Sequence, residues 1–236
     1  MDQPPPAVLI ENLRYSWRHE RGFCLSVPHL RVERGEKLLL KGPSGSGKST
    51  LLALICGAAV PAAGGVRIAG KQIESLSPSA RDRMRGESIG VIFQSLQLVP
   101  YLSAIENVLL PLSFASGRAR RIGPTAAQRR EALDLLERLA LDHARIADAR
   151  SDELSIGQQQ RVAAARALIG SPALVVADEP TSALDRDLRD AFLSVLLAES
   201  ARCGTSVVLA SHDEGFEPLF DRVLHMRDIV ARDEAA

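Results

Sequence analysis

The segment Gly42-Pro43-Ser44-Gly45-Ser46-Gly47-Lys48-Ser49-Thr50 sets glycines, a lysine and adjacent hydroxyls in the spacing G-x-x-x-x-G-K-[ST]. Each residue type has a physical task in that order. The glycines let consecutive backbone N–H groups turn inward around an anion. A helix opening at the lysine adds the partial positive charge of its N-terminus. Lys48 can reach the β- and γ-phosphates of a nucleoside triphosphate, and the Ser49 hydroxyl can ligate Mg²⁺. The plain alternative is a Gly/Ser-rich surface turn. The flanks argue against it: Leu38, Leu39 and Leu40 read as a buried strand, and Leu51, Leu52, Leu54 and Ile55 follow at helical spacing before Gly57. The whole stretch from Gly42 to Thr50 is therefore the expected triphosphate cradle.

Further chemistry lies downstream. Ala173-Leu174-Val175-Val176-Ala177 is the clearest strand pattern in the chain; Asp178 and Glu179 stand at its end and Pro180 stops it. Asp178 would emerge toward the cradle, where Mg²⁺ needs an acidic partner. Glu179 is placed to act as general base on an attacking water. Gln94 ends the strand Ile89–Phe93 and can contact Mg²⁺ or water. His212 follows the strand Ser206–Ala210 and can hydrogen-bond a phosphate or a water. Ordinary structural roles fit both of those residues as well. Leu154-Ser155-Ile156-Gly157-Gln158-Gln159-Gln160-Arg161 precedes an apolar helix, with Ser155 as its N-cap. A helix starting with Ser and Gly offers N–H groups to an anion, though an ordinary capped helix reads the same. Trp17 and Tyr15 are candidates for stacking on an adenine ring or for the core.

Composition narrows the setting. The chain has 236 residues, 46% of them apolar, and equal numbers of basic and acidic side chains, 29 each. No net field argues for nucleic acid. The apolar runs are too short to span a bilayer, and the stretch Met1 to Pro6 lacks the basic and apolar regions of a signal peptide. Cys24, Cys56 and Cys203 form no C-x-x-C pair and read as thiols in a reducing compartment. The expectation is a cytoplasmic protein that acts at a membrane only through a partner.

Strands alternating with helices call for an α/β fold with a mostly parallel core sheet. Ala7–Leu13 and Phe23–Val32 read as N-terminal strands, an antiparallel β part. After a turn over Pro61–Gly65 come a strand at Val66–Ala69 and a polar helix at Pro78–Arg85. Ser103 and Glu106 form a capping box. Ser116 to Thr125, with Arg118, Arg120 and Arg121, reads as an exposed basic loop. Ala126 to Ala140 is amphipathic, with Leu133, Leu136, Leu139 and Ala140 on one side. Asp187 to Arg202 is a helix, and Arg222–Met226 and Asp228–Val230 are read as the last strands. The nearly all-helical segment from about 95 to 170 is expected to be a lobe inserted into a single domain, whose core comprises about 1–94 and 171–236.

In this order the motifs resemble the nucleotide-binding subunit of ATP-binding-cassette (ABC) transporters, over nearly the whole chain. The resemblance rests on the P-loop at Gly42–Thr50, the Q-loop Gln94 and the signature Leu154–Gln158. It continues with Walker B at Leu174–Glu179, the D-loop Ser182-Ala183-Leu184-Asp185 and the switch histidine His212. It implies a P-loop ATPase with ATP and Mg²⁺ as cofactors, and Trp17 in the place of the adenine-stacking aromatic. It implies a head-to-tail homodimer with each ATP held between one P-loop and the signature residues Ser155, Gly157 and Gln158 of the other copy. It also implies a membrane permease partner, reached from the inner face of the cell membrane. Ser103–Leu112 and Gln158–Val162 look like the lipoprotein-release and macrolide-efflux branch. That branch pairs with permeases of four transmembrane helices and a large periplasmic domain. Two positions depart from the pattern: Ile156 replaces the first glycine of the signature, and Ser151 stands where proline is common. A soluble ABC ATPase and a regulatory subunit of little turnover are the competing functions.

Overall fold

The computed structural model describes residues 4–16 and 24–230. The elements run β1 (Val8–Ser16), β2 (Cys24–Val32), β3 (Lys37–Lys41), α1 (Lys48–Ile55), β4 (Ala63–Ile68), β5 (Lys71–Gln72), α2 (Pro78–Ser88) and β6 (Ile89–Ile92). Then come α3 (Ala104–Leu109), α4 (Ser116–Ile122), α5 (Thr125–Arg138), α6 (His143–Ile146) and α7 (Ile156–Leu168). The chain returns to the sheet with β7 (Leu174–Asp178), α8 (Arg186–Arg202), β8 (Ser206–Ser211), β9 (Arg222–His225) and α9 (Met226–Ile229).

Two sheets result. One is antiparallel, in the order β2-β1-β4-β5; the other is parallel, in the order β6-β7-β8-β3-β9. Strands covered on both faces read as unbroken apolar runs, because alternate side chains enter different cores. Leu38, Leu40, Val176, Val208 and Ala210 pack with α1 and the antiparallel sheet. Leu39, Val175, Ala177, Val207 and Leu209 pack with Leu168 of α7, Leu196 of α8 and Ile105 of α3. Truncating a side chain as buried as Leu39 typically costs about 2–5 kcal/mol.

Parallel pairing is what assembles the site. The register sets Lys41 beside Ser211, Asp178 beside Ala210 and Ile92 beside Ala177. The ends of β3, β6, β7 and β8 therefore open onto one edge, where ligands of open α/β sheets bind. Two glycines make close approaches possible. A Cβ on Gly90 would lie 2.1 Å from the Ala167 carbonyl oxygen, so glycine lets α7 settle on β6. Gly64, at φ +79°, would place one 2.2 Å from Asn12 O. That crowding coincides with the register shift between β1 and β4, which starts β4 at Ala63 and not at Val66.

Several expectations are corrected. Residues 116–122 are helix α4, and Arg118 is buried, not solvated. Its guanidinium donates to the carbonyls of Ala167 and Ile169, at the C-terminus of α7, and to Gly86 O at 3.2 Å. The end carbonyls of a helix need donors, and this arginine comes from another helix to supply them. Burial and the nearby Arg121 pull its pKa down to about 10. On α5 the buried face is Ala132, Leu135, Leu136 and Leu139; Ala140 is exposed at φ +58°, because the helix has already ended. Residues 226–229 form α9, not a strand, so β9 is the last strand among the described residues. Phe93 lies beyond β6 and is exposed.

Candidate active site

The phosphate loop leaves β3 and enters α1 through Gly47 at φ +93°, with Gly45 at φ +77°; side chains larger than glycine rarely adopt these angles. No side chain caps α1. By contrast, Ser77, Ser103, Ser155 and Asp185 cap α2, α3, α7 and α8. The first N–H groups of α1 lack intrahelical acceptors by geometry, so they suit an anion arriving at the loop. Ser46 Oγ is buried within the loop without a hydrogen-bond partner among the described residues. Pro43, Ser44 and Gly45 are exposed and Gly42 is half-buried. Lys48 is buried, its Nζ donating to Gly42 O at 2.7 Å and Pro43 O at 3.1 Å.

The same ammonium lies 3.8 Å from Glu179 Oε1, whose other oxygen, Oε2, is 3.0 Å from His212 Nδ1. Lysine, carboxylate and imidazole thus form one continuous array. Glu179 reaches it through an unusual backbone: its φ is +43° and its N–H donates to Ala210 O at 3.0 Å. A non-glycine residue held there costs about 1–3 kcal/mol, a strain that clusters at functional sites. His212 is largely exposed and is aimed by the turn behind it. The Asp213 N–H donates to Ser211 Oγ at 3.1 Å, and Arg189 of α8 pairs with the Asp213 carboxylate while lying 5.0 Å from the centre of the Phe216 ring. Sequence reasoning did not single out Arg189 or Asp213. An acid directly after the histidine was the only available signal.

Asp178 and Ser49 line one cavity of about 330 Å³ beside Ala53, Val91 and Phe93. A carboxylate and a hydroxyl are hard oxygen donors of the kind Mg²⁺ takes together with substrate phosphates. Cys56 borders the same cavity, but burial pushes its thiol up to about 12, so it offers no thiolate. Among the described residues no cluster of His, Cys, Asp and Glu forms a metal cage of its own. Gln94 is exposed just past Phe93 and does not line this cavity. Thr50 lies within the first turn of the loop helix.

The signature residues stand apart. Ser155, Gly157 and Gln158 line a different cavity of about 340 Å³ with Ala183, Leu184, Asp185 and Leu188, and no P-loop residue reaches it. Ser155 and Gln158 form a capping box: the Gln158 N–H donates to Ser155 Oγ at 3.4 Å and the Ser155 N–H to Gln158 Oε1 at 2.9 Å. Gln160 ties this helix to the catalytic strand end by donating to Pro180 O at 2.6 Å. Ile156 is half exposed at the first helical position, where the fold accepts it readily. Ser151, buried, donates its hydroxyl to Val99 O at 2.7 Å and its N–H to Leu102 O at 3.0 Å; proline can make neither bond. Tyr15 packs against the core. Trp17, expected to stack on adenine, lies outside the described residues.

Known proteins give the same answer as the motifs. The family described as ABC transporter matches residues 25–182. The lipoprotein-releasing system ATP-binding protein LolD of Pseudomonas fluorescens is 38% identical over 89% of this chain and 88% of its own. LolD of Xylella fastidiosa is 41% identical over 84% of this chain and 79% of its own. Among solved structures, one titled as a dimeric structure of a post-hydrolysis state of the ATP-binding cassette MJ0796 bound to ADP and Pi is 33% identical. It superposes with a TM-score of 0.80 over 95% of this chain and 97% of that one. Motif order, site geometry and relatives that match most of the chain converge: the chain belongs to the ABC transporter family, as an ATP-binding and ATP-hydrolysing subunit.

Proposed function

We propose that this subunit energises a lipoprotein-releasing permease with four transmembrane helices and a large periplasmic domain, working from the inner face of the cell membrane. The observation that carries the catalytic half of this reading is the array Lys48, Glu179 and His212, which links the phosphate loop to a carboxylate and an imidazole. The relatives of lipoprotein-releasing name support the transport half. The domain reading is one ABC ATPase domain over 1–236, with the helices at about 95–170 as a lobe inserted in the core.

In this reading Gly42 to Thr50 wrap the triphosphate, Lys48 neutralises its β- and γ-oxygens and Trp17 stacks on the adenine. Glu179 takes a proton from the attacking water, while His212 holds the carboxylate in place. Ser49 and Asp178 would hold Mg²⁺, with Gln94 approaching from its loop; the ion would neutralise charge developing on the phosphates. Ser155, Gly157 and Gln158 of a second copy complete the site across a two-fold interface. The cavity around Ser155, which no P-loop residue of the same chain lines, supports that arrangement. The dimeric cassette MJ0796, 32% identical over 92% of this chain with a TM-score of 0.79, supports it.

The test is to trap the closed state. Glu179→Gln should be monomeric without nucleotide, dimeric in ATP and monomeric again in ADP, by size-exclusion chromatography with light scattering. Adding Ser155→Arg should abolish the dimer. A Glu179→Gln protein that stays monomeric in saturating ATP, with and without its permease, overturns the clamp. The tagged chain should also recover, from solubilised membranes, a four-helix permease; recovery of soluble partners alone overturns the transport reading.

A further inference from the structure

The loop that carries Gln94 has an unusual backbone. Leu96 and Gln97 are consecutive non-glycine residues at φ +56° and +48°, a region that L-residues enter reluctantly. Leu96 is anchored in the helical core, whereas Gln97 is exposed. Within the turn, the Leu96 N–H donates to Phe93 O at 3.0 Å and the Gln97 N–H to Ser95 O at 2.6 Å. Both carbonyls of the strained pair turn to one side chain. Arg166 donates from Nη2 to Leu96 O at 2.5 Å and from Nη1 to Gln97 O at 2.6 Å.

Arg166 stands on the last turns of α7, the helix that opens at Ser155. Arg166 is half-buried, and burial lowers its pKa. Among the described residues it has no carboxylate within ion-pairing distance, so its charge is spent on backbone carbonyls alone. A rigid planar fork serves two adjacent acceptors from two separate nitrogens; a lysine ammonium at this position would have to reach both from a single point on a flexible stem. The arrangement does not belong to the P-loop, and Arg166 touches none of the residues that bind phosphate.

We propose that Arg166 is a positioning residue for ATP hydrolysis: its fork clamps the left-handed Leu96–Gln97 turn and thereby sets where Gln94 stands beside the Ser49–Asp178 cavity. This rests on the reading of Gln94 as a site residue. Without the fork, the turn relaxes toward ordinary φ values and carries Gln94 with it. The P-loop is untouched, so turnover falls while the affinity for ATP holds.

The test is steady-state ATPase kinetics on the full chain. Arg166→Met, which keeps the apolar stem, and Gln94→Ala should each lower kcat by about 10- to 100-fold, with KM changed less than about 3-fold. Gln97→Gly alone should leave kcat unchanged. Added to Arg166→Met it should restore most of the activity, because glycine adopts positive φ without the clamp. Arg166→Lys, which keeps the charge but not the fork, should be impaired at an unchanged melting temperature, and it stands in if the Met variant does not fold. Three results would overturn the proposal: full activity in Arg166→Lys, a loss in Arg166→Met that Gln97→Gly fails to recover, or an active Arg166→Met beside an inactive Gln94→Ala. An active Gln94→Ala would instead remove the reading of Gln94 on which the clamp depends.

Discussion

Helices α1 and α7 both open behind a small residue, Gly47 and Ser155, yet their N-termini are built in opposite ways. α1 begins behind a left-handed Gly47 with no side-chain cap. α7 begins behind Ser155, which trades hydrogen bonds with Gln158 and closes the terminus on itself. A cap is worth about 0.5–2 kcal/mol to a helix. α1 forgoes it, and its first N–H groups stay available to phosphate. α7 keeps it, so the signature stands folded before any second copy arrives. A missing cap alone does not make an anion site, since α4, α5 and α6 lack one too; at α1 it coincides with left-handed glycines and the buried Lys48.

Changing Lys48 should separate the two termini most widely. Lys48→Ala removes charge-assisted contacts to the phosphates, each worth at least about 1.5 kcal/mol, while alanine suits the helix. Calorimetry should therefore show MgATP affinity lost by about 100-fold or more. Retained affinity would mean that α1 is not the phosphate end.

Removing the α7 cap should have a smaller effect of another kind. Ser155→Ala should lower stability by about 1 kcal/mol, seen in thermal unfolding, and weaken the ATP-bound dimer of the Glu179→Gln protein. ATP binding by the monomer should be unchanged. A monomer that binds ATP as poorly as Lys48→Ala would erase the distinction between the two termini.

The smallest effect is a pH response that differs between capping boxes. In α3 the Ser103 N–H donates to Glu106 at 2.8 Å. That backbone bond, with the Ser103 hydroxyl second, holds the Glu106 carboxyl below its usual value of 4.5. A lowered folded pKa means the contribution is present above the unfolded value and lost as pH falls through the folded one. Gln158, in the matching position of α7, has no proton to gain. Amide exchange corrected for its intrinsic rate should rise in α3 relative to α7 as pH drops below about 4.5. Equal responses would show that the carboxylate adds nothing to its box.

Much of this was legible in the residues. The runs Leu38–Leu40 and Leu174–Ala177 announced strands buried on both faces, and Ser103 with Glu106 announced a capped helix. Strands alternating with helices led to the α/β class with its parallel sheet, and the motif order led to the family. What was misread turns on what a few neighbouring residues do not show. Arg118, Arg120 and Arg121 among Gly117 and Gly123 look like a solvated loop, since nothing local marks a buried guanidinium. Its acceptors, the carbonyls of Ala167 and Ile169, lie about 50 residues away in the chain. Ala140 was assigned to the buried stripe because the periodicity does not say where α5 stops, whereas Leu133 does pack against the helical core. The short α9, Met226-Arg227-Asp228-Ile229, has too few residues for its spacing to tell strand from helix.

By itself the sequence determined which groups are available: a glycine-lysine loop, two acids at a strand end, a histidine after another strand and a capped helix opening at Ser155. These are local facts, set by residue type and spacing along a few turns of chain. Only the tertiary structure decided which of them meet. Parallel pairing of β3, β7 and β8 brings Lys48, Glu179 and His212 into one array. The same fold leaves Ser155 in a cavity that no P-loop residue lines, and hands the backbone of the Gln94 loop to Arg166. The physical reason is range: propensities and caps act over a few residues, whereas a hydrogen bond forms between any two groups that sheet register and core packing happen to bring within about 3 Å.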